Sequence, residues 1–129
     1  MSTRDEINTL IWRSRDFLRT AEFQIGNGIY DLAIFNLEQA LQLFLKAKIL
    51  EYGAQYPRTH SVRYLLRFLR DIVPNDKRQV VSELLDRYLF ELGVLEDAYI
   101  GARYVPREYA KEEAERLINV VNEIMNSGL

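Results

Sequence analysis

A chain of 129 residues with 48% hydrophobic and 28% charged side chains is the size of one ordinary domain and carries enough apolar matter for a single core. The lack of cysteine excludes disulfides, thiolate nucleophiles and Cys-type zinc or iron–sulfur sites, and a lone histidine leaves little to hold a metal, so neither metal nor cofactor is expected. The net charge of −2 argues against a protein that coats nucleic acid by bulk electrostatics, yet residues 1–70 carry +3 and residues 71–129 carry −5, which permits a local basic patch.

Of the 17 cations 13 are Arg, the residue better suited to bidentate carboxylate or phosphate contacts. No apolar run is long enough to span a membrane, and the polar start Ser2-Thr3-Arg4-Asp5-Glu6 has no apolar segment after it. A cytoplasmic protein is expected.

Hydrophobic spacing is helical nearly throughout. The first helix is predicted to start at Thr3, capped with Glu6, and to carry Ile7, Leu10, Ile11, Leu18, Ala21 and Ile25 on one stripe before Gly26-Asn27-Gly28 ends it. The second runs from Tyr30 to Tyr52 and stops at Gly53, with apolar positions over roughly two-thirds of its circumference. Apart from Phe35, the remainder is a polar wedge of Gln39, Gln42 and Lys46, which reads as a wet face rather than a nucleotide site. A helix so broadly apolar must be covered on more than one side, in a bundle centre or at a subunit interface.

Thr59 or Ser61 can cap a third helix with an inward stripe of Val62, Leu65, Leu66, Leu69 and Ile72, which Pro74-Asn75 closes. A fourth runs from about Asp76 toward Arg103, with Gly93 as the expected bend, and Pro106 ends it or starts the fifth. The fifth carries Ala114, Leu117, Ile118, Val121 and Ile124 and frays at Asn126-Ser127-Gly128. The predicted fold is therefore all-α: one domain over residues 1–129, an up-and-down antiparallel bundle of four long helices plus one shorter helix.

No Gly-rich phosphate loop, Ser/His/Asp arrangement or metal-ligand spacing is present. Glu96, Tyr99 and Arg103 fall within about 60° of one another on the apolar stripe of the fourth helix. Arg103 can pair with Glu96 two turns earlier, at the negative end of the helix dipole, or join Tyr99 in an anion site for a phosphate or RNA backbone. A second candidate is Arg58-Thr59-His60 before the third helix, followed by Arg63, Arg67 and Arg70 on what reads as its outer face. Glu108, Glu112, Glu113 and Glu115 suit the dipole at the start of the fifth helix.

The stretch Tyr30-Asp31-Leu32-Ala33-Ile34-Phe35-Asn36-Leu37-Glu38-Gln39-Ala40, continuing to Lys46-Ala47, resembles the second-helix signature of HEPN domains. Thr59-His60 with Leu65 or Leu66 beyond, and Tyr99-Ile100-Gly101-Ala102-Arg103-Tyr104 before a proline, resemble that family's later motifs. The resemblance implies a small antiparallel helical bundle, commonly a homodimer, often paired with a minimal nucleotidyltransferase in a complex or toxin–antitoxin system, and in contact with nucleotides or RNA.

Ribonuclease members of that family place a His a short interval after an Arg. The matching slots after Arg103 hold Glu108, Tyr109 and Ala110, and the only histidine, His60, lies far upstream in another motif. Without an imidazole there, proton transfer would fall to Tyr or Glu with strongly shifted pKa values. Gln42 stands where many relatives have Glu. The expectation is a noncatalytic or catalytically degenerate module that binds nucleotide or RNA phosphate through Tyr99, Arg103, Tyr104, Arg58 and His60, with no metal site. The alternatives are an active ribonuclease using Arg103 with Tyr109 or His60, and a structural dimer without ligand.

Overall fold

The computed structural model contains α1 (Thr3–Gly26), α2 (Tyr30–Glu51), α3 (Val62–Ile72), α4 (Asn75–Tyr104) and α5 (Lys111–Met125). It describes residues 2–104 and 108–129, with backbone only for residues 102–104; among these residues there is no strand. Pro106 lies outside the described residues. The fold is the all-helical bundle expected, with the 11-residue α3 as its short member.

α1 starts at Thr3 as predicted, but its cap lies one residue earlier. Ser2 is the cap, its hydroxyl accepting from the Asp5 amide at 3.1 Å while Asp5 accepts from the Ser2 amide, so the reciprocal pair is Ser2/Asp5 rather than Thr3/Glu6. The α1–α2 turn passes through Gly28 at φ 76°, a left-handed conformation in which any Cβ would be strained. The two helices then pack antiparallel: the buried Ser14 hydroxyl donates to the Ala40 carbonyl at 2.6 Å, and Asn36 donates to Gln24 at 2.8 Å.

α2 touches all four other helices, which its wide apolar arc requires. Ile34, Leu37, Leu41, Leu45 and Ile49 are fully buried along it. Each such side chain withdrawn from water stabilises the fold by about 1.5–3 kcal/mol before entropy is counted.

After Gly53 the chain turns back along α2, where Tyr56 sets its ring 5.3 Å from Lys46 Nζ. His60 reaches Tyr99, whose ring also stacks on Phe35, so α3 starts beside the N-terminal half of α2. The other successive pairs are antiparallel. Ser61 and Glu96 join one end of α3 and α4 while Arg78 donates to the Arg70 carbonyl at the other; Arg116 to Glu91 and Arg87 to Glu123 tie α4 to α5 in the same sense.

The bend in α4 falls at Tyr88 (φ −114°, ψ 20°), not at the expected Gly93. There the Tyr88 hydroxyl and the Arg87 guanidinium both bond to Glu123 of α5, so the kink is tied by two side chains to the neighbouring helix. Gly93 remains within the helical run. No helix among the described residues is long and apolar enough to cross a membrane.

Candidate functional site

The first turn of α3 meets the last third of α4 next to the start of α2. Ser61 caps α3, its hydroxyl accepting from the Tyr64 amide at 3.1 Å and donating to Glu96 at 2.6 Å. Thr59 supports the cap by accepting from the Ser61 amide at 3.0 Å. Arg63 then donates to Glu96 from its backbone at 3.0 Å and from its guanidinium at 2.7 Å through Nη2.

Burial works against the charge of Glu96. The hydrogen bonds from the Arg63 side chain, Ser61 and the Arg63 backbone, with the nearby positive charge, outweigh it and hold this carboxyl below its usual range. The Glu96 carboxylate is thus the partner of Arg63, while the expected Arg103–Glu96 pairing lies outside the described residues, and Arg63 leaves the outer-face row predicted with Arg67 and Arg70. No local sequence signal announces this pair, because its members lie 33 positions apart.

One turn beyond Glu96 stands Tyr99. Its ring stacks on His60 with centroids 4.4 Å apart and planes at 22°, and its hydroxyl lies 3.3 Å from His60 Nε2. Phe35 of α2 stacks on the same tyrosine at 5.9 Å and 13°. Phe35 and Tyr99 are half-buried, whereas His60 is exposed. α4 therefore does two things within one turn: Glu96 fixes the start of α3, and Tyr99 receives the imidazole carried just ahead of it.

Beneath lies a polar ladder on α2. Glu38 is fully buried and accepts from Gln42 at 2.6 Å and from Gln39 at 2.7 Å; Gln42 in turn accepts from Lys46 at 2.9 Å. Burial pushes the Glu38 carboxyl up to about 7, against the opposing pull of Gln42, Gln39 and Lys46, and the charge of Glu96 pushes the same way as burial. Burial likewise lowers the Lys46 ammonium, opposed by Glu38. The wedge read as a wet face is a largely buried relay, since Gln42 is only 4% exposed. Glu38 was legible only as a carboxylate interrupting the apolar arc one turn before Gln42.

The other predicted residues divide. Tyr99 and His60 come together, with exposed Arg58 two positions before the imidazole. Arg103 and Tyr104 belong to α4, but their side chains lie outside the described residues; Arg103 follows Tyr99 by four positions and so shares its helix face. Tyr109 packs its ring on the core, and its amide donates to Asp31 at the start of α2. Of the α5 carboxylates, Glu113 accepts from the Ala110 amide at the helix start, while Glu115 pairs loosely with Lys111 at 3.7 Å. Among the described residues no group of three or more His, Asp or Glu is placed to hold a metal ion.

Comparison with solved structures finds the same fold elsewhere. TT1696 from Thermus thermophilus is 28% identical with a TM-score of 0.68, over 95% of this chain and 92% of its own. ST0689, an archaeal HEPN homologue, is 21% identical with a TM-score of 0.66, over 94% and 93% respectively. A search of curated proteins returns no match. The family model for the HEPN domain matches residues 7–129, nearly the whole length, and the chain belongs to the HEPN domain family.

Proposed function

We propose that this chain is a cytoplasmic HEPN-type binding module, noncatalytic or catalytically degenerate, that dimerises, pairs with a minimal nucleotidyltransferase in a toxin–antitoxin-like arrangement, and holds a nucleotide or RNA phosphate. The binding residues in this reading are Tyr99, Arg103, Tyr104, Arg58 and His60. One observation carries it: His60 rests on Tyr99, one turn before Arg103 on the same helix face, while Glu96, one turn before Tyr99, is engaged by Arg63 and Ser61. An anion arriving there meets donors and aromatic surface, and the charge of Glu96 is already met by Arg63.

Isothermal titration with ATP and with a short single-stranded RNA tests the reading. Binding that Arg103→Ala weakens at least tenfold supports it; no heat from either ligand refutes it. Light scattering reports the dimer, and co-purification with a nucleotidyltransferase encoded beside this chain reports the partner.

A second reading is favoured by the position of His60. The stack puts an imidazole at the Tyr99 face where the local sequence after Arg103 has none, so an Arg103/His60 ribonuclease is the alternative worth assaying. Tyr109 has no comparable support, its ring being packed on the core. Cleavage of labelled RNA that both Arg103→Ala and His60→Ala abolish would establish the enzyme reading over the binding one.

A further inference from the structure

Three aromatic rings from three separate parts of the chain, Phe35, Tyr99 and His60, form one stack whose inner members are half-buried and whose His60 member is exposed. The imidazole is fixed on both counts that matter for a flat ligand. Its plane is set within 22° of the Tyr99 ring, and Nε2 lies 3.3 Å from the Tyr99 hydroxyl, which restrains rotation within that plane.

The segment beneath is fixed too. Thr59 and Ser61, on either side of His60, are hydrogen-bonded to each other, and Ser61 is held by Glu96. A side chain this constrained loses little further rotamer freedom when something lies against it. Exposed large apolar side chains stand close by in the chain, Tyr64 on the first turn of α3 at 50% exposure and Ile100 next after Tyr99 at 60%. Arg58, two positions earlier, is exposed and close enough along the chain to meet a phosphate linked to whatever covers the ring.

We infer that His60 is a stacking plate for an unpaired nucleobase, so that the ring of the base extends the Phe35–Tyr99–His60 stack while its phosphate is met by the neighbouring Arg58. This rests on the binding reading above and deepens it, by assigning recognition of the base face to His60 where that reading requires only an anion. The ligand chemistry is a heteroaromatic base carrying phosphate, whether supplied as a free nucleotide or by single-stranded RNA. Stacking tolerates any base, because each presents a π-face, so purines bind better than pyrimidines by area without a sequence code.

The probe is 2-aminopurine, whose fluorescence falls when it stacks, in two forms: its riboside 5′-monophosphate, and a single-stranded oligoribonucleotide with one internal 2-aminopurine and a terminal fluorescein for anisotropy. Quenching on binding of either form is expected, and which form is quenched identifies the source of the base. His60→Ala should remove the quenching and weaken binding roughly 5- to 150-fold, the range for loss of one stacked base. His60→Phe, which keeps a plate but no ring nitrogen, should retain both.

Anisotropy that reports binding without quenching, or quenching that His60→Ala leaves intact, overturns the stacking inference and leaves the anion-binding reading standing. Absence of binding by either probe removes both.

Discussion

Glu38 and Gln42, one turn apart on α2, share a 2.6 Å hydrogen bond with neither side chain appreciably exposed. Burial raises the Glu38 carboxyl from its ordinary 4.5 to about 7. Between those values the folded chain holds a proton that the unfolded chain has released. Unfolding free energy therefore falls as pH rises through this window and levels off above it, by about 3 kcal/mol in full. Glu38→Gln should abolish that slope, leaving the variant near wild type at pH 4.5 and more stable at pH 8. The substitution is sterically mild, because the partly buried Gln39 amide can turn to accept from the new NH2 while Gln42 keeps its donor role. Denaturant titrations across pH 4.5–8 decide it, and a flat wild-type profile would show that Glu38 is not the group responsible.

Glu96 contributes with the opposite sign. Its carboxyl is held below the usual range despite burial, so its stabilisation is present above the unfolded-state pKa and is lost as pH falls through the lower folded-state value. Glu96→Ala removes the acceptor for Ser61, the Arg63 amide and the Arg63 guanidinium, and should cost about 1–3 kcal/mol. The same variant should loosen the start of α3. Faster amide exchange at residues 61–64, with unchanged exchange in α5, would separate this local effect from general destabilisation.

How much of this could be read in advance depended on how local the cause was. The five helices follow from apolar spacing, and the central place of α2 from an arc too wide to cover from one side. The errors share a different origin. The α1 cap moved because Ser2 and Asp5 satisfy each other, the α4 bend moved because Glu123 of a distant helix binds Tyr88 and Arg87, and Arg63 left its solvated row for Glu96.

Of the candidate site, His60 and Tyr99 stand in two separate motifs, and their stacking depends on the backward run of the α2–α3 connection, which no spacing encodes. The Gln39/Gln42/Lys46 wedge reads as wet from its residue types alone. In the fold Glu38 sits behind it and satisfies it from within.

Ser14 shows where two helices meet too closely for a larger residue. It is fully buried, donates to the Ala40 carbonyl at 2.6 Å and lies 4.0 Å from the Met125 sulfur. Ser14→Ala keeps the close approach and loses one hydrogen bond, an expected cost of about 0.5–1.5 kcal/mol. Ser14→Leu must separate α1 from α2 and should cost about 1–3 kcal/mol through overpacking. The order of the two melting temperatures tests the contact, and a Leu variant as stable as the Ala variant would contradict it.

Gly93 sits within the helical run of α4, away from the bend at Tyr88, with the Arg63 guanidinium packed beside it. A Cβ built there would lie 3.4 Å from Arg63 Nη1 and 3.7 Å from Cζ, contacts with the end of a flexible side chain rather than with backbone. Gly93→Ala should therefore recover most of the helix penalty of glycine, about 0.5–1 kcal/mol, and raise the melting temperature by about 2–5 °C. Gly93→Leu should do the reverse, because its longer side chain displaces the guanidinium that Glu96 holds at 2.7 Å. Thermal melts of the two variants, alone and combined with Arg63→Ala, complete the argument. If Arg63 is what the larger residue displaces, the penalty of Gly93→Leu shrinks in the Arg63→Ala background, whereas an unchanged penalty would place the clash elsewhere.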